Sequence, residues 1–231
     1  MNLTEKLGGL IDPFERAEGP PPRTLLAFFL WSVKGAWPML ILAAGISVLA
    51  GTTEVWTAFL LGAVIDSASG DPNGYIAQNW PLLIAFVAFF VGFRPLVFGL
   101  SATWQGLVVY PQVATKITAR LHRWTLTHPV EFFDNDFAGR IASKQGQTTN
   151  AMTNVIVEVI NVVFFAIASV VGSMLLVLTL DWRLALGMLV WVAGYLWMIS
   201  WFMPRLRAKS KSRAAARAAV GGQIVDTITN I

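Results

Sequence analysis

Four long apolar runs, nearly free of charge, constrain this chain more than any other feature of its sequence. They cover residues 35–65, 80–110, 159–180 and 184–204. A helix that spans a membrane needs about 20 consecutive apolar residues, so each run is long enough to cross a bilayer. The sequence therefore predicts an all-α membrane protein, a bundle of about four long transmembrane helices. The predicted spans are residues 36–65, 80–110, 158–180 and 183–204.

Composition supports the membrane assignment and excludes several kinds of site. Only 13% of the residues are charged and the mean hydropathy is +0.61, whereas a soluble domain carries about 25% charged residues. The 231 residues include no cysteine, which excludes disulfides, thiolate metal sites and cysteine nucleophiles. The sequence also lacks a glycine-rich phosphate-binding loop and a nucleophile–base pair. We therefore predict no catalytic, cofactor-binding or metal-binding residues in this segment.

The basic residues predict the orientation of the spans. Nearly all of the 17 Lys and Arg residues lie before the first span, between the second and third, or after the fourth. By the positive-inside rule, these segments are cytoplasmic and the two short loops between the other spans are external. The net charge of +4 then follows from membrane topology, and no nucleic-acid partner is expected.

The region before the first span divides at a run of three prolines. Residues 1–23 are acidic, which is wrong for a secretion signal, and we predict a cytoplasmic N-terminal tail with little structure. Residues 24–34 contain an apolar stretch that is too short to span a bilayer. They are predicted to form an interfacial elbow helix along the inner leaflet. The alternative is that this stretch begins the first span itself.

Two cytoplasmic arms, residues 111–157 and 205–231, are predicted to extend the bundle beyond the bilayer. Residues 112–128 combine an apolar helical stripe with a basic face, and residues 205–220 are rich in the helix formers Ala, Arg and Lys. Each of these helical segments would be about 25 Å long. Matched arms suggest a lever that reaches a cytoplasmic partner. The alternative is that they are merely solvated helix ends.

The tip of the first arm carries three phenylalanines in a polar cytoplasmic turn. Exposed apolar residues rimmed by charge are typical of docking surfaces. The acidic and amide residues here could also cap a short helix across the tip. The alternative is that the phenylalanines tuck between the two neighbouring helices. The candidate coupling residues are Phe132, Phe133, Asp134, Asn135, Asp136, Phe137, Gly139 and Arg140.

Two charged residues interrupt the first two spans at matching depths. Glu54 and Arg94 both lie about 18–21 Å below the predicted external boundary, using the helical rise. An isolated charge at mid-bilayer costs about 2.5–3.5 kcal/mol on insertion scales, so such residues usually pair or line a wet cavity. Because sequential spans joined by a short loop are usually neighbours, we predict an intramembrane charge pair. The alternative is that each faces a water-filled cavity alone.

At this point the chain resembles the transmembrane domain of the ABC exporter family, over nearly all of residues 24–231. The order and spacing of several short motifs carry the resemblance. They are Gly62 to Asp66 closing the first span, Phe132-Phe133-Asp134 with Gly139 and Ser143-Lys144 after the second, Trp182 to Leu186 opening the fourth, and Gly222, Asp226 and Asn230-Ile231 after it. Two positions depart from the family pattern, since Lys144 stands where Arg is usual and Thr148 where Asp is usual.

The resemblance implies a part of a larger machine. Residues 35–231 would be a partial ABC exporter transmembrane domain with four of its six helices and the first coupling helix, while the nucleotide-binding domain is absent from the segment. The expected partners are the lipid bilayer, a nucleotide-binding domain, a second transmembrane subunit and a hydrophobic or amphipathic substrate. ATP and Mg would be needed by the full-length protein, in a bacterial inner membrane with both segment ends cytoplasmic. We expect the sequence to be a fragment of such a protein.

Two other classes of function stay open at this stage. A secondary transporter or channel without ATPase would explain the spans and Arg94, but not the matched arms or the coupling-like tip. A membrane scaffold that transports nothing is the third interpretation. The coding sequence downstream of Ile231 would discriminate among them, because an ATP-binding motif within roughly 200 further residues would support the exporter and a stop codon at 232 would count heavily against it.

Overall fold

The computed structural model describes residues 8–15, 19–68, 75–134 and 138–229. Every regular element in these ranges is helical. Four helices are long and apolar enough to cross a membrane: Trp37–Ala68, Gln78–Thr125, Gly139–Leu180 and Trp182–Ser210. The predicted all-α membrane fold with four spans is therefore confirmed.

The described residues contain nine α-helices and three π-helical stretches. The α-helices are α1 (Leu25–Val33), α2 (Trp37–Ala68), α3 (Tyr75–Val87), α4 (Arg94–Trp104), α5 (Tyr110–Thr125), α6 (Val130–Asp134), α7 (Ala138–Glu158), α8 (Phe165–Leu180) and α9 (Trp182–Thr229). The π-helical stretches Ala88–Phe93, Gln105–Val109 and Val159–Phe164 join α3 to α4, α4 to α5 and α7 to α8.

Two of the three π-helical stretches end beside a proline. Pro95 and Pro111 each lie in the first turn of the helix that follows, α4 and α5 respectively. A proline has no N–H to donate and its ring collides with the carbonyl four residues earlier, so the preceding turn must widen. The second span is thus one continuous helical rod whose winding changes twice.

Residues 8–15 of the N-terminal region pack against the first arm, although a tail with little structure was expected there. Ile11 is only 1% exposed and belongs to the apolar core formed with α1, α2, α5 and α7. The Ile11 N–H donates a hydrogen bond of 2.8 Å to Gln112 Oε1 on α5. Burying an apolar side chain of this size stabilises by about 1.5–3 kcal/mol, which adds to this hydrogen bond in holding residues 8–15 against the arm.

Two arm cations that the sequence places on a basic face are in fact buried. Lys116 Nζ donates to Glu15 Oε2 at 2.5 Å and to the Asp12 carbonyl at 3.0 Å. Glu15 accepts the hydrogen bond in its charged form, so Lys116 lowers the pKa of that carboxyl. Arg120 hydrogen-bonds the carbonyl oxygens of Trp31, Ser32 (3.1 Å) and Lys34 (2.7 Å). These carbonyls lie at the end of α1, where a helix leaves its last carbonyls largely without partners; that of Trp31 also accepts a hydrogen bond of 3.4 Å from the Lys34 N–H.

A three-residue break separates α1 from the first span. Gly35 lies in this break with φ of +86°, a conformation that residues with a Cβ rarely adopt. A Cβ at this position would also collide with Glu15 Oε2. The apolar stretch is thus a helix separate from the first span, as expected of an elbow, while its position at the inner leaflet stays a prediction.

Glycines allow α2 and α8 to approach closely. A Cβ at Gly51 would collide with the Phe165 carbonyl oxygen and lie 2.9 Å from Ala168 Cβ. A Cβ at Gly172 would lie 2.6 Å from Val55 Cγ2. Ala168 and Gly172 are small residues four positions apart on α8. This spacing lets membrane helices approach closely, and close packing stabilises their association because lipid provides no hydrophobic driving force for it.

The chain divides into two compact units, residues 1–173 and 174–231. In the second unit, Asp181 interrupts the helical backbone and its Oδ1 accepts a hydrogen bond of 2.8 Å from the Arg183 N–H, as an N-terminal cap does. Helix α9 then continues through Pro204 to Thr229. Its length of about 72 Å exceeds a bilayer core of about 30 Å more than twofold.

Candidate functional site

The structure brings Glu54 and Arg94 together. Arg94 Nη2 lies 2.7 Å from Glu54 Oε1, between the first span and the start of α4. The side chains are 29% and 35% exposed for Arg94 and Glu54. A charge-assisted hydrogen bond of this length is about twice as strong as a neutral one, and stronger still where water is scarce.

Further contacts hold the guanidinium in place. Arg94 Nη1 donates to Thr57 Oγ1 at 3.0 Å, and the Thr57 hydroxyl donates to the Thr53 carbonyl one turn earlier at 2.7 Å. The Arg94 guanidinium carbon also lies 6.0 Å from the Phe90 ring centroid and 5.7 Å from that of Phe98. Aromatic faces attract a cation at this range. The pair is therefore a small network between the first two spans.

The second candidate site is the tip of the first arm. Helix α6 begins directly after Pro129, whose carbonyl accepts a hydrogen bond of 3.0 Å from the Phe132 N–H. Phe132 is 40% exposed and Phe133 is half-buried. Their rings meet edge to face at 5.2 Å between centroids. Large aromatic rings left exposed on a polar segment indicate a docking surface.

An aromatic row supports the tip from below. The His128 ring lies 4.5 Å from the Phe132 ring, and the Trp124 ring lies 5.3 Å from that of His128. His128 Nδ1 lies 3.1 Å from the Thr125 carbonyl and 3.2 Å from the Trp124 carbonyl. Because carbonyls only accept, Nδ1 carries a proton and donates to them. The row fixes where α6 leaves the arm.

A groove of about 260 Å³ lies beside α6, between α5 and α7, and Phe132 forms part of its wall. Gln145 Nε2 donates to Thr125 Oγ1 across the two helices at 2.5 Å. Phe132 therefore contacts the arm with one side of its ring and leaves the rest exposed. The ring is thus partly packed against the arm, and the docking interpretation of its exposed part stays a prediction.

The remaining predicted tip residues divide by position. Gly139 and Arg140 lie in the first turn of α7 and are exposed. Asp134 ends α6, and its backbone alone is described. Asn135, Asp136 and Phe137 lie outside the described residues.

Sequence reasoning missed two participants in these sites and one in the packing of the N-terminal segment. Thr57 follows Glu54 by three residues, so helical spacing could have placed it on the same face. His128 precedes the proline at the tip, where it joins the aromatic row. Gln112 receives the N-terminal segment, and nothing in the local pattern indicates a partner about a hundred residues away.

Comparison with known families identifies this helical architecture. The model of the ABC transporter transmembrane region matches residues 40–231, which includes nearly all of the first span, the other three spans and both arms. The chain belongs to the ABC transporter transmembrane region family. The resemblance inferred from the motifs is thereby confirmed.

Curated relatives agree with this ABC transporter membership. An "Uncharacterized ABC transporter ATP-binding protein" of Haemophilus influenzae is 24% identical over 229 residues, or 96% of this chain and 36% of that protein. The ATP-dependent lipid A-core flippases of Aliivibrio fischeri and Chromobacterium violaceum are 24% and 23% identical, over 79% and 89% of this chain and 32% and 34% of their own lengths. The chain thus spans about a third of the length of these relatives. No solved structure matches it significantly.

Proposed function

We propose that this ABC transporter segment is the N-terminal part of the transmembrane domain of an ATP-driven exporter. It contributes part of the substrate path and the first coupling helix, α6 with its flanking residues. The single observation that carries the proposal is the aromatic tip at residues 130–134, which stands at the end of a helical arm in a chain of this family. Family membership favours an exporter over a secondary transporter.

The packing of α5 against α7 would allow the first arm to transmit a force. Helices α5 and α7 pack side by side, and buried residues from both, such as Val113, Ile117 and Met152, belong to one apolar core. The Thr125–Gln145 hydrogen bond joins them near the tip. A push on α6 would therefore reach the second and third spans through a stiff pair of helices rather than through a loop.

The expected partners lie outside this segment. The tip would dock to a nucleotide-binding domain, in the same or another chain, and the spans would pair with a second transmembrane subunit in a homo- or heterodimer. Among the residues that the structure describes, no group of three His, Asp or Glu side chains could hold a metal ion. In this proposal ATP and Mg would bind to the nucleotide-binding domain, since the 231 residues contain no glycine-rich phosphate-binding loop.

The relatives named as flippases suggest an amphipathic substrate. The spans expose mainly Leu, Phe, Trp and Val side chains, which suit hydrophobic or amphipathic molecules. We place the full-length protein in a bacterial inner membrane with both ends of this segment in the cytoplasm. In this arrangement the arms and tip meet the nucleotide-binding domain on the side where ATP is available.

The proposal is tested on the full-length protein in proteoliposomes. A Glu131→Cys variant in α6 should cross-link to a cysteine on the nucleotide-binding domain, and ATP hydrolysis should drive movement of a fluorescent lipid between leaflets. Replacement of ATP by a non-hydrolysable analogue should stop that movement. Lipid movement that does not depend on ATP, or a tip that does not cross-link to the nucleotide-binding domain, would overturn the exporter assignment.

A further inference from the structure

A cleft with a mixed polar and apolar lining lies among the first three spans, separate from the Glu54–Arg94 pair. It has a volume of about 230 Å³, far more than one water molecule requires. Polar side chains line it from α2, from the second span and from the stretch that leads into α8: Ser47, Ser101, Gln105 and Asn161. Helical rise places Ser47 and Ser101 about two turns, or ~10 Å, from Glu54 and Arg94 on the side nearer the arms.

One wall of the cleft carries a hydroxyl that the protein leaves unsatisfied. Ser47 is only 2% exposed, and its Oγ finds no hydrogen-bond partner among the described residues. A buried hydroxyl without a partner costs about 1–3 kcal/mol, so such groups usually mark a bound water or ligand. This observation is independent of the shape of the cleft.

The opposite walls place two amides on widened helical turns. Gln105 and Asn161 both lie in π-helical stretches, Gln105–Val109 and Val159–Phe164. Such turns are rare and occur frequently at functional sites. Gln105 Nε2 donates to Ser101 Oγ at 3.1 Å, which leaves further hydrogen-bonding capacity on both groups.

The lining specifies the chemistry of the occupant. Its polar groups are neutral and include both donors and acceptors, which match a hydroxyl group. A charged group would lose its hydration without an opposite charge in the lining. The rings of Phe98 and Phe165, 6.3 Å apart between centroids, supply apolar walls that suit the C–H faces of a ring bearing hydroxyls.

We propose that the cleft formed by Ser47, Ser101, Gln105 and Asn161 binds a neutral, hydroxyl-bearing head group of an amphiphile. The binding itself needs only these residues, whereas a part in transport rests on the exporter function proposed above. The aromatic and aliphatic surface around the cleft would accommodate the attached alkyl chain.

The test uses the full-length protein in nanodiscs and three probes with the same alkyl chain. Octyl β-D-glucoside, octyl sulfate and octyltrimethylammonium are added below their micellar concentrations, and the rise in Tm with concentration gives an apparent affinity. The glucoside is expected to bind at least tenfold more tightly than either charged probe. Equal affinity for all three would show that the alkyl chain alone determines binding, and no glucoside binding would leave a cleft that holds only water; either result would overturn the proposal.

The variants separate a binding role from a structural one. Ser47→Ala removes the unsatisfied hydroxyl, so Tm without ligand should stay or rise while glucoside affinity falls about fivefold. Gln105→Leu and Asn161→Leu should weaken binding similarly. Ser173→Ala and Gln78→Leu, which lie outside the cleft, serve as matched controls. Unchanged glucoside affinity in Ser47→Ala would contradict the site even if the two leucine variants failed to fold.

Binding and transport are measured separately. Glucoside binding that depends on the cleft, without ATP-driven lipid movement, would support the site and contradict the exporter function. ATP-driven lipid movement without glucoside binding would support the exporter function and contradict the site.

Discussion

Arg94 Nη2 donates to Glu54 Oε1 at 2.7 Å, so the charges that interrupt the first and second spans satisfy each other. Glu54→Gln and Arg94→Met should each destabilise the full-length protein, because each leaves the partner charge without its counter-ion in a poorly solvating medium. The double variant should recover much of the loss, with a coupling energy of about 1–3 kcal/mol. A double-mutant cycle on unfolding in detergent measures this coupling. Strictly additive losses would show that the two charges do not interact.

Thr57 tests the wider network around the same guanidinium. Thr57→Val removes the hydroxyl that accepts from Arg94 Nη1 and should cost about 1 kcal/mol, the net value of one hydrogen bond. Thr52→Val is the matched control, since the Thr52 hydroxyl donates only to the Leu49 carbonyl within its own helix. Equal losses in the two variants would assign the effect to helix geometry rather than to Arg94.

The close approach of α2 and α8 predicts an ordered series of glycine variants. Gly51→Ala drives a methyl group against the Phe165 backbone carbonyl, which cannot move aside, and should cost about 1–3 kcal/mol. Gly172→Ala meets the Val55 side chain, which can shift, and should cost less. Gly45→Ala is the control, because nothing lies within 4 Å of its added Cβ. Thermal unfolding in detergent gives the order, and a Gly45 variant as damaged as Gly51→Ala would contradict it.

The Glu15–Lys116 contact predicts a pH dependence on the acid side. Lys116 lowers the pKa of Glu15 below its ordinary value of 4.5, so the charged carboxylate stabilises the folded state above that pH. The contribution is lost as the pH falls below 4.5 and through the lowered pKa of the folded state. The wild-type Tm should therefore approach that of Glu15→Gln on acidification. Glu158→Gln is the exposed control, and a Tm difference between wild type and Glu15→Gln that persists at the acid limit would contradict the mechanism.

The exposed tip predicts a specific uncoupling phenotype under the proposed function. Phe132→Ala and Phe133→Ala should lower lipid movement per ATP hydrolysed, since a buried hot-spot aromatic is worth about 2 kcal/mol or more in docking. ATPase activity and membrane insertion should remain. Phe202→Ala in α9, an exposed phenylalanine within a predicted span, is the control. Normal transport per ATP in both tip variants would remove the docking role.

Membrane orientation is tested with single cysteines, against a background free of native cysteine in these residues. Cysteines at Gln147 and Ser210, both exposed, should resist an impermeant thiol reagent on intact cells because the positive-inside rule places them in the cytoplasm. Cysteines at Ser69 and Asn73, in the loop outside the described residues, should react. The opposite labelling pattern would invert the predicted topology.

The spans could be predicted because an apolar run long enough to cross a bilayer is unstable when exposed to water and is therefore found as a membrane-spanning helix. The Glu54–Arg94 contact followed from equal depths in sequential helices. The packing of Ile11 and Glu15 on the arm could not be predicted, since a short acidic segment carries no periodic pattern and its partners Gln112 and Lys116 lie about a hundred residues away. The π-helical turns were also missed, although Pro95 and Pro111 mark two of their ends. Local sequence pattern predicts individual helices, whereas the packing of the N-terminal segment depends on which parts of the chain contact one another.

Arg120 ties the last carbonyls of α1 to the side of α5. Any tilt of the arm must therefore either break hydrogen bonds to a charged donor or carry α1 along with it. Breaking them would leave a guanidinium without its acceptors, so joint movement has the lower cost. If α1 lies in the headgroup layer, movement of the arm would carry this short helix through the lipid surface. The viscosity of that layer would then resist the movement and limit its rate.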